Sequence, residues 1–283
     1  MRVGRSTATA LLCLAITAAC PAPGAQGQTA WPEDATQCAR DLRNPDVEIH
    51  HCTAAIRSGV LADDTLAVTL NNRGVAYGAA GEPGKAIEDF DAALQLRPGD
   101  TGILANRATA QLAAGRPDAA LDDYDRLIAA GREPDPAWLV GRGNARGLKG
   151  DIRGAVADYD AAIARRADWW LPWFNRGAAK SRAGRDVDAL ADYTQAIGLA
   201  PGELPVRYNR GTTLLRLDRP AEAIADFDAV LAADPRNADA LGNRAIAHER
   251  LGHSSEAFAD FHRLWELGSR PEWLAAKLRG PGG

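Results

Sequence analysis

The residues of this chain best equipped for chemistry are its aspartates, arginines and asparagines, and their spacing decides what chemistry is open to them. An Asn-Arg-small triplet begins at Asn72, Asn106, Asn175, Asn209 and Asn243, with a degraded copy at Gly141-Arg142-Gly143. Each arginine is followed 16 residues later by an aspartate that precedes an aromatic: Asp89-Phe90, Asp123-Tyr124, Asp158-Tyr159, Asp192-Tyr193, Asp226-Phe227 and Asp260-Phe261. A catalytic carboxylate pair needs to occur once, whereas acids that recur with a repeat mark a scaffold. Arg73/Asp89 and its five equivalents therefore read as ion pairs across a hairpin; the competing reading is an arginine ladder for an anionic ligand. No phosphate loop, zinc-helix motif or nucleophile elbow is present, so the chain is not expected to be an enzyme. His50-His51-Cys52 has metal-ligating residue types, but neighbouring helix positions cannot all face one ion and no spaced partners follow. No metal and no cofactor is expected. His248, His253 and His262 have no paired cysteine or serine context and read as surface or packing residues.

These residues are positioned by a 34-residue period, with one step of 35 where a residue is added near 132–136. In the second half of each unit the apolar positions fall at i, i+1, i+4, i+7 and i+8, as in Ala86, Ile87, Phe90, Ala93 and Leu94. That spacing is one stripe of a helix. The first half carries a thinner stripe, such as Leu70, Gly74 and Tyr77. Between the halves stands Gly81, Gly115, Gly150, Gly184 or Gly252, with Asp218 in the odd copy, where a left-handed residue ends a helix. Pro98, Pro201, Pro235 and Pro271 close several units. Each unit is thus a helix hairpin with an apolar face too wide to bury alone, and stacked neighbours bury it for one another.

The pattern resembles the tetratricopeptide-repeat family. Counted from Ala67, the small residue Gly74, then Tyr77, Ala86, Phe90, Ala93 and Pro98 stand where that family places them. The family's tryptophan at the fourth position appears only as Trp173; Leu70, Leu104, Leu139, Arg207 and Leu241 replace it. The resemblance implies an all-α, right-handed superhelical solenoid of about six helix hairpins (67–100, 101–135, 136–169, 170–203, 204–237 and 238–271), preceded by a degenerate hairpin at 33–66 and followed by a cap and tail at 272–283.

The composition, 46% apolar and 25% charged, fits a globular chain. A net charge of −4 offers no basic field for nucleic acid. Arg2 and Arg5 precede a short apolar run from Ala8 to Ala19, too short to span a bilayer. A Pro/Gly-rich stretch to Ala30 follows. Residues 1–27 are expected to be a secretory signal peptide cut between 22 and 30, and no transmembrane span follows. The mature protein is expected in the periplasm, with secretion or membrane attachment as alternatives. Thr17-Ala18-Ala19-Cys20 raises a minority reading in which Cys20 is lipidated; the usual leucine three residues before the cysteine is threonine here.

Cys13 would leave with the signal, while Cys38 and Cys52 remain. An even pair in an exported protein suggests a disulfide, and two buried thiols are the alternative. Cys52 occupies the aromatic position of a second helix, and Cys38 would face it from the helix before. Closing this loop of about 15 residues would add about 3 kcal/mol in the loop-entropy picture. The stretch also resembles relatives of the repeat group that carry a cysteine pair in a degenerate first hairpin.

What remains is binding, and the expected partner is a protein or peptide. In the family, first helices line a concave groove. There Asn72, Asn106, Asn175, Asn209 and Asn243 would offer amides that suit a peptide backbone. Arg182, Arg216 and Arg250 recur seven residues after the last three asparagines and would form a cationic stripe; a solvated charged face is the alternative. Trp170 and Phe174 share a helix face and would form an exposed aromatic anchor, or else pack inward; Trp173 is expected in the core. The functional expectation is a non-catalytic scaffold. The runners-up are an accessory subunit of an envelope enzyme system, or a glycan or small-molecule binder using the tryptophan cluster.

Overall fold

The computed structural model describes Cys38 and residues 44–130, 133–269 and 272–279. The proposed signal peptide, Cys13, Cys20 and the first helix of the degenerate hairpin lie outside the described residues. Among those described, helices are the only regular structure. They are α1 Pro45–Arg57, α2 Asp63–Ala79, α3 Pro83–Leu96, α4 Thr101–Ala113, α5 Pro117–Ala130, α6 Pro136–Leu148, α7 Ile152–Arg165, α8 Trp170–Arg182, α9 Asp186–Leu199, α10 Leu204–Arg216, α11 Pro220–Ala233, α12 Ala238–Arg250, α13 Ser254–Glu266 and α14 Glu272–Arg279. The chain divides into two compact units at Asp151/Ile152. Within each, every helix packs on the next, and the first helices of neighbouring hairpins also touch: α2 with α4 and α4 with α6 in one unit, α8 with α10 and α10 with α12 in the other.

Helix ends follow from residue type. Asp100 accepts the amides of Gly102 and Ile103 to start α4, and Asn237 accepts that of Ala240 to start α12. Pro83 and Pro220 open α3 and α11, where the missing N–H has no helical partner to lose. Between paired helices, Gly81, Gly115, Gly150, Gly184 and Gly252 stand at φ between 69° and 84°, and Asp218 takes the same left-handed conformation at 55°.

The core is built on the aromatic of each second helix. Phe90, Tyr124, Tyr159, Tyr193, Phe227 and Phe261 are all buried. The small residue of the triplet exists to admit that ring. A Cβ on Gly74 would lie 2.7 Å from Phe90, and one on Gly177 or Gly211 would lie 2.9 Å from Tyr193 or Phe227. The degraded triplet has its own cause. A Cβ at Gly141 would sit 2.2 Å from Cζ of Tyr124, whose ring leans from the preceding hairpin into the space an asparagine would need. Tyr124 keeps its hydroxyl 3.1 Å from that of Thr109.

Candidate functional site

In α2, α4, α8, α10 and α12 the recurrent arginine reaches two second helices. Arg107 donates from Nε and Nη2 to Asp123 of its own hairpin at 2.8 and 2.7 Å, and from Nη1 to Asp91 of the preceding hairpin at 2.6 Å. Arg73, Arg176, Arg210 and Arg244 make the same bidentate bond to Asp89, Asp192, Asp226 and Asp260. Arg142 and Asp158 fall in different units. The third nitrogen of Arg176 reaches Asp160, that of Arg244 reaches Asp228, and that of Arg142 reaches Asp125. The aspartates are buried and the arginines are 15 to 24% exposed. Hydrogen bonds donated to Asp123 and Asp260 raise the pKa of Arg107 and Arg244 above the ordinary arginine value, against the opposing effect of burial. The hairpin pair is legible in the sequence; the second acid is a finding of the structure, although its signal recurs one residue past the aromatic at Asp91, Asp125, Asp160 and Asp228.

Two of the asparagines spend their amides between first helices. Asn106 donates to the Asn71 side chain at 2.9 Å, and Asn243 donates to the Tyr208 hydroxyl at 3.1 Å. Asn209 turns back onto the Pro205 carbonyl of its own helix at 3.1 Å. Asn72 is buried, with its oxygen 3.4 Å from the Asn71 amide. Asn175 is half-buried.

The expected cationic stripe needs correction. Arg216 is exposed, yet it binds Asp186 from Nε at 3.0 Å and from Nη2 at 2.8 Å, and also meets Ser181 and Thr213. The Arg216 guanidinium in turn holds the Asp186 carboxyl below the usual carboxylate range. Arg250 donates to the Leu215 carbonyl and lies 3.6 Å from Asp218. The acids at the start of α9 and in the α10–α11 turn thus compensate two of the three charges. Arg182 is exposed and makes no hydrogen bond or ion pair among the described residues.

Of the two readings of Trp170 and Phe174, Phe174 takes the inward one. Phe174 is 8% exposed and packs with Ala189, Tyr193, Ala196 and Val206, its ring 6.1 Å from that of Tyr193. Trp170 is half-buried, 5.9 Å from Phe174. Trp173 is half-buried rather than central in the core, because its Nε1 donates to the Ala167 carbonyl at 3.1 Å and the Arg176 guanidinium lies 4.7 Å from its ring. In the N-terminal unit the sulfurs of Cys38 and Cys52 are within bonding distance at 2.07 Å, and both residues are buried.

Taken together, first helices in contact, second helices cross-tied by arginine, and a small residue under each aromatic define a helix-hairpin repeat protein, an architecture of protein-interaction scaffolds. The chain carries tetratricopeptide repeats. The family pattern matches residues 67–100, and a second tetratricopeptide-repeat pattern matches 208–268. A tetratricopeptide repeat protein from Parabacteroides merdae is similar over 83% of this chain and 91% of its own, at 19% identity and a TM-score of 0.62. YrrB, described as a TPR protein with an unusual peptide-binding site, is similar over 69% of this chain and all of its own, at 19% identity and a TM-score of 0.57. TTC0263 of Thermus thermophilus, a thermophilic TPR protein, is similar over 64% and 98%, at 22% identity and a TM-score of 0.55. No relative is found among curated proteins. Among the described residues no helix is long and apolar enough to cross a membrane.

Proposed function

We propose that this protein is a non-catalytic, exported scaffold that holds a protein or peptide segment on the first-helix face of its C-terminal unit. The observation that carries the reading is the stripe of α10: Tyr208, Thr212 and Arg216 share one helix face, partly or fully open to solvent. The Asn243–Tyr208 bond joins that stripe to α12. Asn209 and the Tyr208 hydroxyl offer donors and acceptors of the kind an extended backbone needs, and Arg182 adds an uncompensated charge for an acidic group. The peptide-binding site described for YrrB, of the same fold, supports this class of ligand. The charged start and short apolar run of the N-terminus, together with the buried Cys38–Cys52 pair, support export.

The reading is tested by filling the face. Affinity capture from an envelope extract is compared between the wild-type protein and the Ala178→Trp/Thr212→Trp variant, with circular dichroism to confirm the fold. Loss of the captured protein in the folded variant is expected. Equal capture by both proteins would move the binding site elsewhere.

A further inference from the structure

Every hairpin turn described is closed by one backbone bond between two fixed positions. The amides of Glu82, Arg116, Asp151, Arg185, Arg219 and His253 donate to the carbonyls of Tyr77, Gln111, Arg146, Lys180, Leu214 and His248, at 2.8 to 2.9 Å. The two side chains at these positions are therefore brought to the same corner of each hairpin. In the last hairpin both are histidines. Their Nδ1 atoms lie 3.4 Å apart, with ring centroids separated by 5.6 Å. Gly252, at φ 76°, fixes the turn between them. His253 is exposed and His248 partly so, and the pair opens to solvent.

We propose that His248 and His253 form a two-imidazole site for a first-row divalent cation of the Cu2+ or Zn2+ kind. The spacing is the argument. Metal–imidazole bonds run about 2.0–2.1 Å, and two of them at a tetrahedral angle hold their nitrogens about 3.3–3.4 Å apart. The turn supplies that separation before any ion arrives, so little ordering is needed on binding. Each neutral ring presents its Nδ1 lone pair once its N–H sits on Nε2; the hydrogen bond between the two Nδ1 atoms is given up as the metal enters. Imidazole nitrogen suits copper and zinc rather than the hard cations. Glu256, in the first turn of α13, is the neighbouring anion. The Ser255 hydroxyl bonds it at 2.6 Å and lowers its carboxyl pKa, and its own amide and the nearby His253 and His248 act in the same direction. No cluster of three or more metal-ligating side chains occurs among the described residues, so water completes the coordination and the site exchanges its ion.

Titration calorimetry on the full chain, with zinc chloride and separately copper chloride, tests this. The comparison is between a His50→Gln/His51→Gln background and the same background carrying His248→Gln, His253→Gln or both. The background is expected to bind one ion, copper more tightly than zinc, with no heat from calcium. Loss of a direct ligand should weaken binding by more than the roughly 10–100-fold that an outer-shell loss costs, and the double change should abolish it. Zinc should raise the melting temperature of the background protein and leave that of the double variant unchanged. Glutamine is tolerated at exposed positions, and circular dichroism shows whether each variant is folded. Equal zinc binding with and without the two histidines, or no binding of either metal by the background protein, would overturn the proposal.

Discussion

Arg107 and Asp123 stand on the two helices of one hairpin and meet through a pair of parallel hydrogen bonds of 2.8 and 2.7 Å. Asp123 is 4% exposed and Arg107 18%, and the remaining nitrogen of Arg107 reaches Asp91 on the preceding second helix. The pair therefore sits where solvent replaces a lost partner poorly, and it joins neighbouring hairpins as well as the helices of one. Asp123→Ala leaves the guanidinium without its main acceptor and should cost about 1–3 kcal/mol. Urea unfolding followed by circular dichroism measures this. A change within error would show that Asp91 and water suffice.

How far this was legible in the sequence depends on the residue. Arg176 and Asp192 were readable as partners because their separation repeats, and periodicity reports contacts that every copy makes. The helix stripes and left-handed turn residues were readable for the same reason. Arg216 was not, since its acceptor Asp186 belongs to the neighbouring hairpin and has no counterpart in other copies. Phe174 was left between an exposed anchor and inward packing, because sharing a face with Trp170 does not say which way the face points; Val206 of α10 and Tyr193 of α9 close over it.

Gly141 gives a second prediction. Restoring the recurrent asparagine with Gly141→Asn should destabilise the protein, because the new Cβ meets the buried Tyr124 ring at 2.2 Å. Overpacking of this kind typically costs about 1–3 kcal/mol. A drop in the urea midpoint is expected, and a gain in stability would contradict the account of the degraded triplet.

Alkaline pH should weaken the fold in a defined window. Burial pushes the Tyr124 hydroxyl up to about 12, against the lowering effect of the Thr109 bond. An unfolded tyrosine loses its proton near pH 10, so the unfolded chain ionises first. The contribution of this group is present below about pH 10 and is lost as pH rises from about 10 towards 12, to the extent of about 1–3 kcal/mol. Burial raises Tyr159 and Tyr193 in the same direction. Unfolding measured between pH 9 and 12 should show the fall, and Tyr124→Phe should make it shallower. An unchanged slope in that variant would refute the assignment.

Cys38 and Cys52 give a local prediction. Freshly isolated protein should show no free thiol at either cysteine until it is reduced. Cys52→Ser should loosen α1 and leave the later hairpins intact, because contacts in a repeat array run between neighbours. Hydrogen exchange resolves the two regions. Both thiols free in fresh protein would count against the bridge and against the export it supports.

The central claim is that the first-helix face of the C-terminal unit is where a protein partner lies. A photoactivatable benzoylphenylalanine placed at Thr212 on that face, and separately at Gln195 exposed on the second helix α9, tests it most directly in living cells. Illumination should join the Thr212 variant to one discrete protein in the cell envelope and leave the Gln195 variant uncoupled. Cross-linking from Gln195 with none from Thr212 would place the partner on the opposite side and contradict the account.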